Sequence, residues 1–219
     1  MALIFALAIK LARDSFIRRQ QEKDAELKLL KGQLNPHFLF NTLNNLYGLS
    51  VTKSDKLPNL MLKLSDLLRY SLYETKETLV PLDKEIKYLE NYISLEKIRL
   101  EDQMEIEFTK TGMFTEKKIA PMLLIVFVEN AFKHLGIGKD GNSSSVRVNL
   151  ELTENHLLFQ CSNSIDPTSP EGNSLEKGKS GIGLQNANKR LALMYPDNYE
   201  LIINREENKY QVELKLDLQ

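Results

Sequence analysis

A single cysteine, Cys161, in 219 residues excludes an intramolecular disulfide and any Cys-rich zinc site, and it fits a reducing compartment. Seven prolines and ten glycines are too few for a collagen-like or linker-like chain. No charge sign dominates, because 29 Lys and Arg stand against 30 Asp and Glu, for a formal charge of -1 with three histidines. There is no global basic field for a nucleic-acid backbone, and direct nucleic-acid binding is not expected. Long hydrophobic runs are scarce too. The apolar stretch at residues 3–9 is interrupted by Lys10 and falls short of the ~20 residues that a membrane-spanning helix requires. A secretory signal carries its charge ahead of the apolar stretch, whereas Lys10, Arg13, Arg18 and Arg19 follow it. Basic residues placed so resemble the cytoplasmic end of a transmembrane helix. Residues 1–23 are therefore expected to be the end of such a helix or a signalling-helix linker, joined to a membrane through a segment N-terminal to this chain. An amphipathic or coiled-coil segment is the alternative.

What is present, 42% hydrophobic and 27% charged residues, suffices for the core of one large domain or two small ones. Residues 24–49 have helical periodicity through Leu27, Leu30, Leu34 and Phe38, with a kink expected at Pro36 because proline lacks the amide donor. Turn residues at 50–58 end this helix. A second run, Leu60, Leu64, Leu67 and Ser71, completes a helical hairpin. Two such helices cannot hide wide apolar stripes alone, and pairing two hairpins into a four-helix bundle predicts a homodimer. Pro81 and Asp83 open a third helix reaching about residue 100. Beyond it, residues 104–109, 146–152, 157–162, 201–204 and 210–216 alternate like strands. Helical runs at 121–134 and 184–195 lie between them. The second half thus reads as an α+β sandwich, one mixed or antiparallel sheet covered on one face by helices.

Three constellations carry chemistry. At about 100° per residue, Gln33, His37, Asn41 and Asn44 fall on one polar helix face, and an exposed imidazole there can attack phosphorus as a neutral nucleophile. A solvated face with an incidental histidine is the plainer alternative. In the second, the apolar residues 122–128 give way to Glu129, Asn130, Lys133 and His134, which project to one side of a helix. A buried carboxylate, amide and ammonium need partners. Asn130 suits a hard oxygen ligand for Mg²⁺ and Lys133 a phosphate charge, whereas a simple Glu129 to Lys133 ion pair is the alternative. In the third, Gly181 and Gly183 stand directly before an amphipathic helix, where free amides and the helix dipole can cradle phosphates, or where a glycine-rich turn merely caps the helix. Ahead of it, residues 166–177 have the Ser, Pro, Gly and Asn content of a mobile loop.

The strings PHFLFN at 36–41, ENAFKH at 129–134 and GIGLQNANKRL at 181–191, in this order, resemble the LytS-type branch of bacterial sensor histidine kinases. LSDLLRYSL at 64–72, residues 81–100 and RLALMYP at 190–196 match as well. The resemblance implies a dimerisation and histidine phosphotransfer hairpin over residues 24–80. After it, over 81–219, it implies a catalytic ATP-binding domain of the GHKL/Bergerat ATPase type, with 81–101 as its connecting helix. It implies ATP and Mg²⁺ as cofactors, and a response regulator with a LytTR-type DNA-binding output domain as partner. It also implies a location as the cytoplasmic portion of a bacterial inner-membrane protein.

Carried over by position, His37 matches the phosphoacceptor, and Asn41 the polar residue one turn on that helps the transfer or its reversal. Asn130 matches the magnesium-binding asparagine. Lys133 and His134 match positions beside the ATP phosphates, and Gly181, Gly183, Leu184 and Asn186 match the glycine box under the nucleotide. Glu129 is the base or water-positioning group. One departure is visible. Where the superfamily has an Asp-x-Gly-x-Gly string with its adenine-binding aspartate, this chain reads CSNSIDP, with Asn163 in the aspartate's place. An uncharged amide there implies weaker nucleotide binding. The functions expected are thus an ATP-dependent autophosphorylating histidine kinase or a catalytically weak scaffold of the same fold.

Overall fold

The structure, a computed structural model, describes residue 13 and residues 36–100, 104–136, 144–166 and 182–218. The expected segment 1–23 apart from Arg13, the helical run over 24–35 with Gln33, and the loop after Asp166 as far as Gly181 lie outside these residues. The chain divides into two compact units, residues 1–40 and 41–219. Helix α1 (Pro36–Val51) starts in the first and runs on into the second. It stops where Lys53 takes a positive φ of 51° and the Thr52 hydroxyl donates back to the carbonyls of Gly48 and Leu49. Helix α2 (Leu57–Tyr73) follows, with Pro58 in the first turn, where a missing amide costs nothing.

The periodicity of α2 is borne out in Leu60, Leu64, Leu67 and Ser71, all buried. Their neighbour is helix α3 (Leu82–Arg99): Tyr70 and Tyr88 rings meet at 4.9 Å, and Lys63 Nζ donates to Ser94 Oγ at 2.8 Å. A short ladder, β1 (Val80–Pro81) antiparallel to β3 (Lys118–Ile119), fixes where α3 begins.

Strands β2 (Met104–Thr111), β4 (Ser144–Thr153), β5 (His156–Ser164), β6 (Tyr199–Arg205) and β7 (Lys209–Asp217) form one sheet in the order β2-β4-β5-β7-β6. Only β2 and β4 are parallel, so the sheet is mixed. Alternation decides its faces. Val146, Val148, Leu150, Leu157, Phe159, Cys161, Val212, Leu214 and Leu216 are buried on one side, whereas Arg147, Glu151, Lys209 and Lys215 are exposed on the other. The buried face meets helices α4 (Ile125–Lys133) and α5 (Ile182–Met194), with Phe127 and Phe159 ring centroids 5.9 Å apart. This is the expected α+β sandwich. Just past β2 the chain passes close to β4 at Gly112, whose φ is 120° and where a Cβ would lie 2.4 Å from the Leu152 carbonyl oxygen.

One helix differs from expectation. The run at 121–134 is helical only from Ile125, because residues 121–124 form a buried turn with Met122 at a positive φ of 56°. At the other end His134 has left the helix, with φ -106° and ψ 22°, so it does not share the helical face of Glu129, Asn130 and Lys133.

Candidate functional site

His37 is the second residue of α1 and is exposed. Asn41, one turn on, is half-buried, and Asn44 is exposed. The remaining candidates belong to the second unit, where α4 gathers them. Glu129 and Asn130 are half-buried on its second turn, Lys133 is exposed at its end, and His134 is half-buried. Glu129 faces α3. Burial first, and then the negative charge of Glu96 and of Glu129, hold the Tyr92 hydroxyl well above its ordinary pKa, and Glu129 pushes Tyr88 the same way after burial. Asn130 Nδ2 is buried with no hydrogen-bond partner, so an amide donor stands unmet beside α4.

Asn163 meets the end of α4. Its Nδ2 donates to the carbonyls of His134 at 3.2 Å and Ser164 at 3.0 Å, which fixes which way the amide points. Its Oδ1 is then left buried without a partner. The backbone beside it is close-packed: Gly136 donates to Ser164 O at 2.9 Å, and a Cβ on Gly136 would lie 2.1 Å from the Asp166 nitrogen. Only glycine fits there. Gly183 is the second residue of α5 rather than part of a turn ahead of it. A Cβ there would meet Val126 Cγ1 at 3.5 Å, which puts the start of α5 against the first turn of α4. Leu184 is half-buried and Asn186 exposed, while Gly181 lies outside the described residues. The structure thus brings Asn130, His134, Asn163 and Gly183 around one helix. Among the described residues no three His, Cys, Asp or Glu side chains cluster to hold a metal, and no helix is long and apolar enough to cross a membrane.

Comparison with known proteins agrees with the motifs. A family model described as histidine kinase matches residues 25–104. The sensor protein LytS of Bacillus subtilis (strain 168) is 37% identical over 134 residues, covering 61% of this chain and 22% of the relative. The sensor histidine kinase/phosphatase LytS of Staphylococcus aureus (strain Mu50) is 32% identical over 199 residues, covering 87% of this chain and 34% of the relative. The chain belongs to the LytS-type sensor histidine kinases. It spans about a third or less of these two relatives' length. Among solved structures it is similar to the kinase domain of a blue-light-activated histidine kinase from Erythrobacter litoralis, with TM-score 0.47, 16% identity, and 91% and 94% of the two chains covered.

This LytS-type chain also contains polar groups that the motifs do not point to. Glu85 on α3 is fully buried, and its carboxylate accepts from the amides of Met122, Leu123 and Leu124 at 3.0, 3.0 and 3.2 Å and from the Tyr70 hydroxyl. Burial pushes the Glu85 carboxyl up, against the pull of these donors. Arg190 on α5 donates to the carbonyls of Pro121 at 2.6 Å and Met122 at 3.3 Å. The Ala120 amide donates to the Tyr195 hydroxyl at 2.7 Å. A signal for Glu85 exists in the sequence. Helical spacing sets it beside Leu82, Ile86 and Leu89, on the apolar side of α3, where an acid must find donors.

Proposed function

We propose that the chain is the ATP-dependent kinase portion of a two-component sensor, in which His37 is phosphorylated and then passes its phosphoryl group to an aspartate of a response regulator. A neutral imidazole nitrogen of His37 forms a bond to the γ-phosphorus, the bond from that phosphorus to the β,γ-bridging oxygen breaks, and ADP leaves with the electron pair. The imidazole proton goes to water. Positioning and charge neutralisation supply most of the rate of such a transfer. Asn130 would hold Mg²⁺ through its amide oxygen, which suits a hard cation. Lys133 and His134 would lie along the phosphates, Gly181, Gly183, Leu184 and Asn186 beneath them, and Glu129 would serve as the base or water-positioning group. Asn41 would assist at His37.

The observation that carries the reading is an exposed imidazole at the head of α1, inside PHFLFN and inside the matched span 25–104. Asn163 supports the nucleotide half: with its Nδ2 committed to two carbonyls, the partnerless Oδ1 has the polarity to accept from an adenine amino group. Residues 24–80 serve in this reading as the dimerising phosphotransfer hairpin of a homodimer, and 81–219 as a GHKL-type ATP-binding domain. The exposed apolar row Leu43, Tyr47 and Val51 on α1 supports the dimer. The basic residues after the apolar stretch at 3–9 support attachment to the membrane from the cytoplasmic side, and a LytTR-type output domain on the regulator follows from the resemblance alone.

Labelled ATP tests this directly. Wild type is expected to take up acid-labile, base-stable phosphate and His37→Ala none. Equal labelling of both proteins would overturn the assignment of His37. A second reading, a scaffold of the same fold with little turnover, is favoured by Asn163 itself, since an amide donates its hydrogens to the chain's own backbone where a carboxylate would be charged. No label in either protein, together with a Mg-ATP thermal shift, is the result that selects it.

A further inference from the structure

Helix α4 begins without a cap of its own. Its N-cap residue, Leu124, offers no side-chain acceptor, and the amides just before the first turn would be orphaned in a buried segment. Other elements supply partners to the turn ahead of it. Glu85 of α3 takes the amides of Met122, Leu123 and Leu124, Arg190 of α5 takes the carbonyls of Pro121 and Met122, and Tyr195 takes the amide of Ala120. A carboxylate at a helix N-terminus also complements the positive end of the helix dipole. The left-handed Met122, costly for a side-chain-bearing residue, shows that these contacts overrule local preference. Glu85 is held in turn from α2 by the Tyr70 hydroxyl. One oxygen, Oε2, therefore joins the helix after α1 to the turn from which α4 starts.

We infer that Glu85 is a positioning residue for the nucleotide site: bridging Tyr70 and the turn at 122–124, it sets where α4 carries Glu129 and Asn130. This rests on the reading of those residues as a Mg-ATP site. Displacements of ~1 Å in positioning groups are enough to matter in such sites. Glutamine at position 85 keeps one acceptor oxygen for Leu123 and Leu124 but turns an N–H toward the Met122 amide, so the turn must shift.

The test is the Kd of Mg-ADP, used as the probe and measured by calorimetry on the full chain. Glu85→Gln is expected to weaken binding about tenfold and Tyr70→Phe about threefold, the latter because it removes one of four donors and leaves the carboxylate and amides in place. Leu216→Ala is the control. It lies on β7, six residues along the strand from Tyr210, the partner of Asn163, and is expected to lose stability while keeping the wild-type Kd. A folded Glu85→Gln protein that binds within twofold of wild type overturns the inference and leaves the nucleotide reading intact. Absence of Mg-ADP binding to wild type overturns both. If Glu85→Gln does not fold, Tyr70→Phe decides, and an unchanged Kd there overturns the inference.

Discussion

Helices α1 and α3 present opposite problems. On α1, Leu43, Tyr47 and Val51 recur every four residues along one face and are 53%, 71% and 65% exposed. On α3, Glu85, Asn91 and Glu96 are 0%, 3% and 4% exposed, polar groups inside the protein. Apolar surface left in water is satisfied from outside the chain, by a second copy in the proposed dimer. Buried polar groups have to be satisfied from within. Glu85 has four donors and Glu96 has the Arg99 guanidinium at 2.6 Å. The outward problem is met on α1, and the inward one, through Glu85, at the turn that leads into α4.

Three variants and one labelling measurement break or sharpen this contrast, from the largest effect to the smallest. Leu89→Ala on α3, where the side chain is fully buried, is expected to cost about 2–5 kcal/mol of unfolding free energy in a urea titration. The double variant Leu43→Glu with Tyr47→Glu on α1 should leave that free energy nearly unchanged. Instead it raises the dimer dissociation constant by at least ~tenfold, about 1.4 kcal/mol, in sedimentation equilibrium. If it unfolds the sandwich, α1 is part of the inner core and the contrast fails. Ser71→Ala removes a buried hydroxyl that donates to Leu67 O at 2.9 Å and lies 3.3 Å from the Tyr88 hydroxyl oxygen, and about 1 kcal/mol is expected to go with it. Finally, Cys161 is buried and desolvation pushes its thiol up to about 12, so an alkylating reagent at neutral pH should label it only as fast as the protein unfolds. Rapid labelling of native protein would mean that the sheet's inner face opens easily.

The parts legible in the sequence are those ruled by local pattern. The alternation over 146–152 and 157–162 announced β4 and β5 because one face of the sheet is buried and the other polar. Pro81 and Asp83 announced α3 because proline and acids suit a helix's first turn. The beginning of α4 was not legible. Residues 122–128 are apolar without a break, so no periodicity separates turn from helix, and the contacts that hold the turn come from 37 to 39 residues upstream and 68 to 69 downstream. At the site, an asparagine in place of an aspartate could be seen in the string CSNSIDP. That its nitrogen would tie the strand to the end of α4 depended on the fold.

The mixed pairing of the sheet has a consequence for the order in which the protein assembles. Strands β4 and β5 are joined through Glu154 and Asn155 alone, with Thr153 opposite His156, so little chain entropy is lost in closing them. Strand β2 reaches β4 only in parallel, with Met104 opposite Ser144, and the intervening segment must first fold its helix back over the sheet. Non-local closure of this kind is slow. The hairpin can therefore form while the chain is still emerging, whereas β2 docks only after the helix that carries the candidate site has folded back over the sheet.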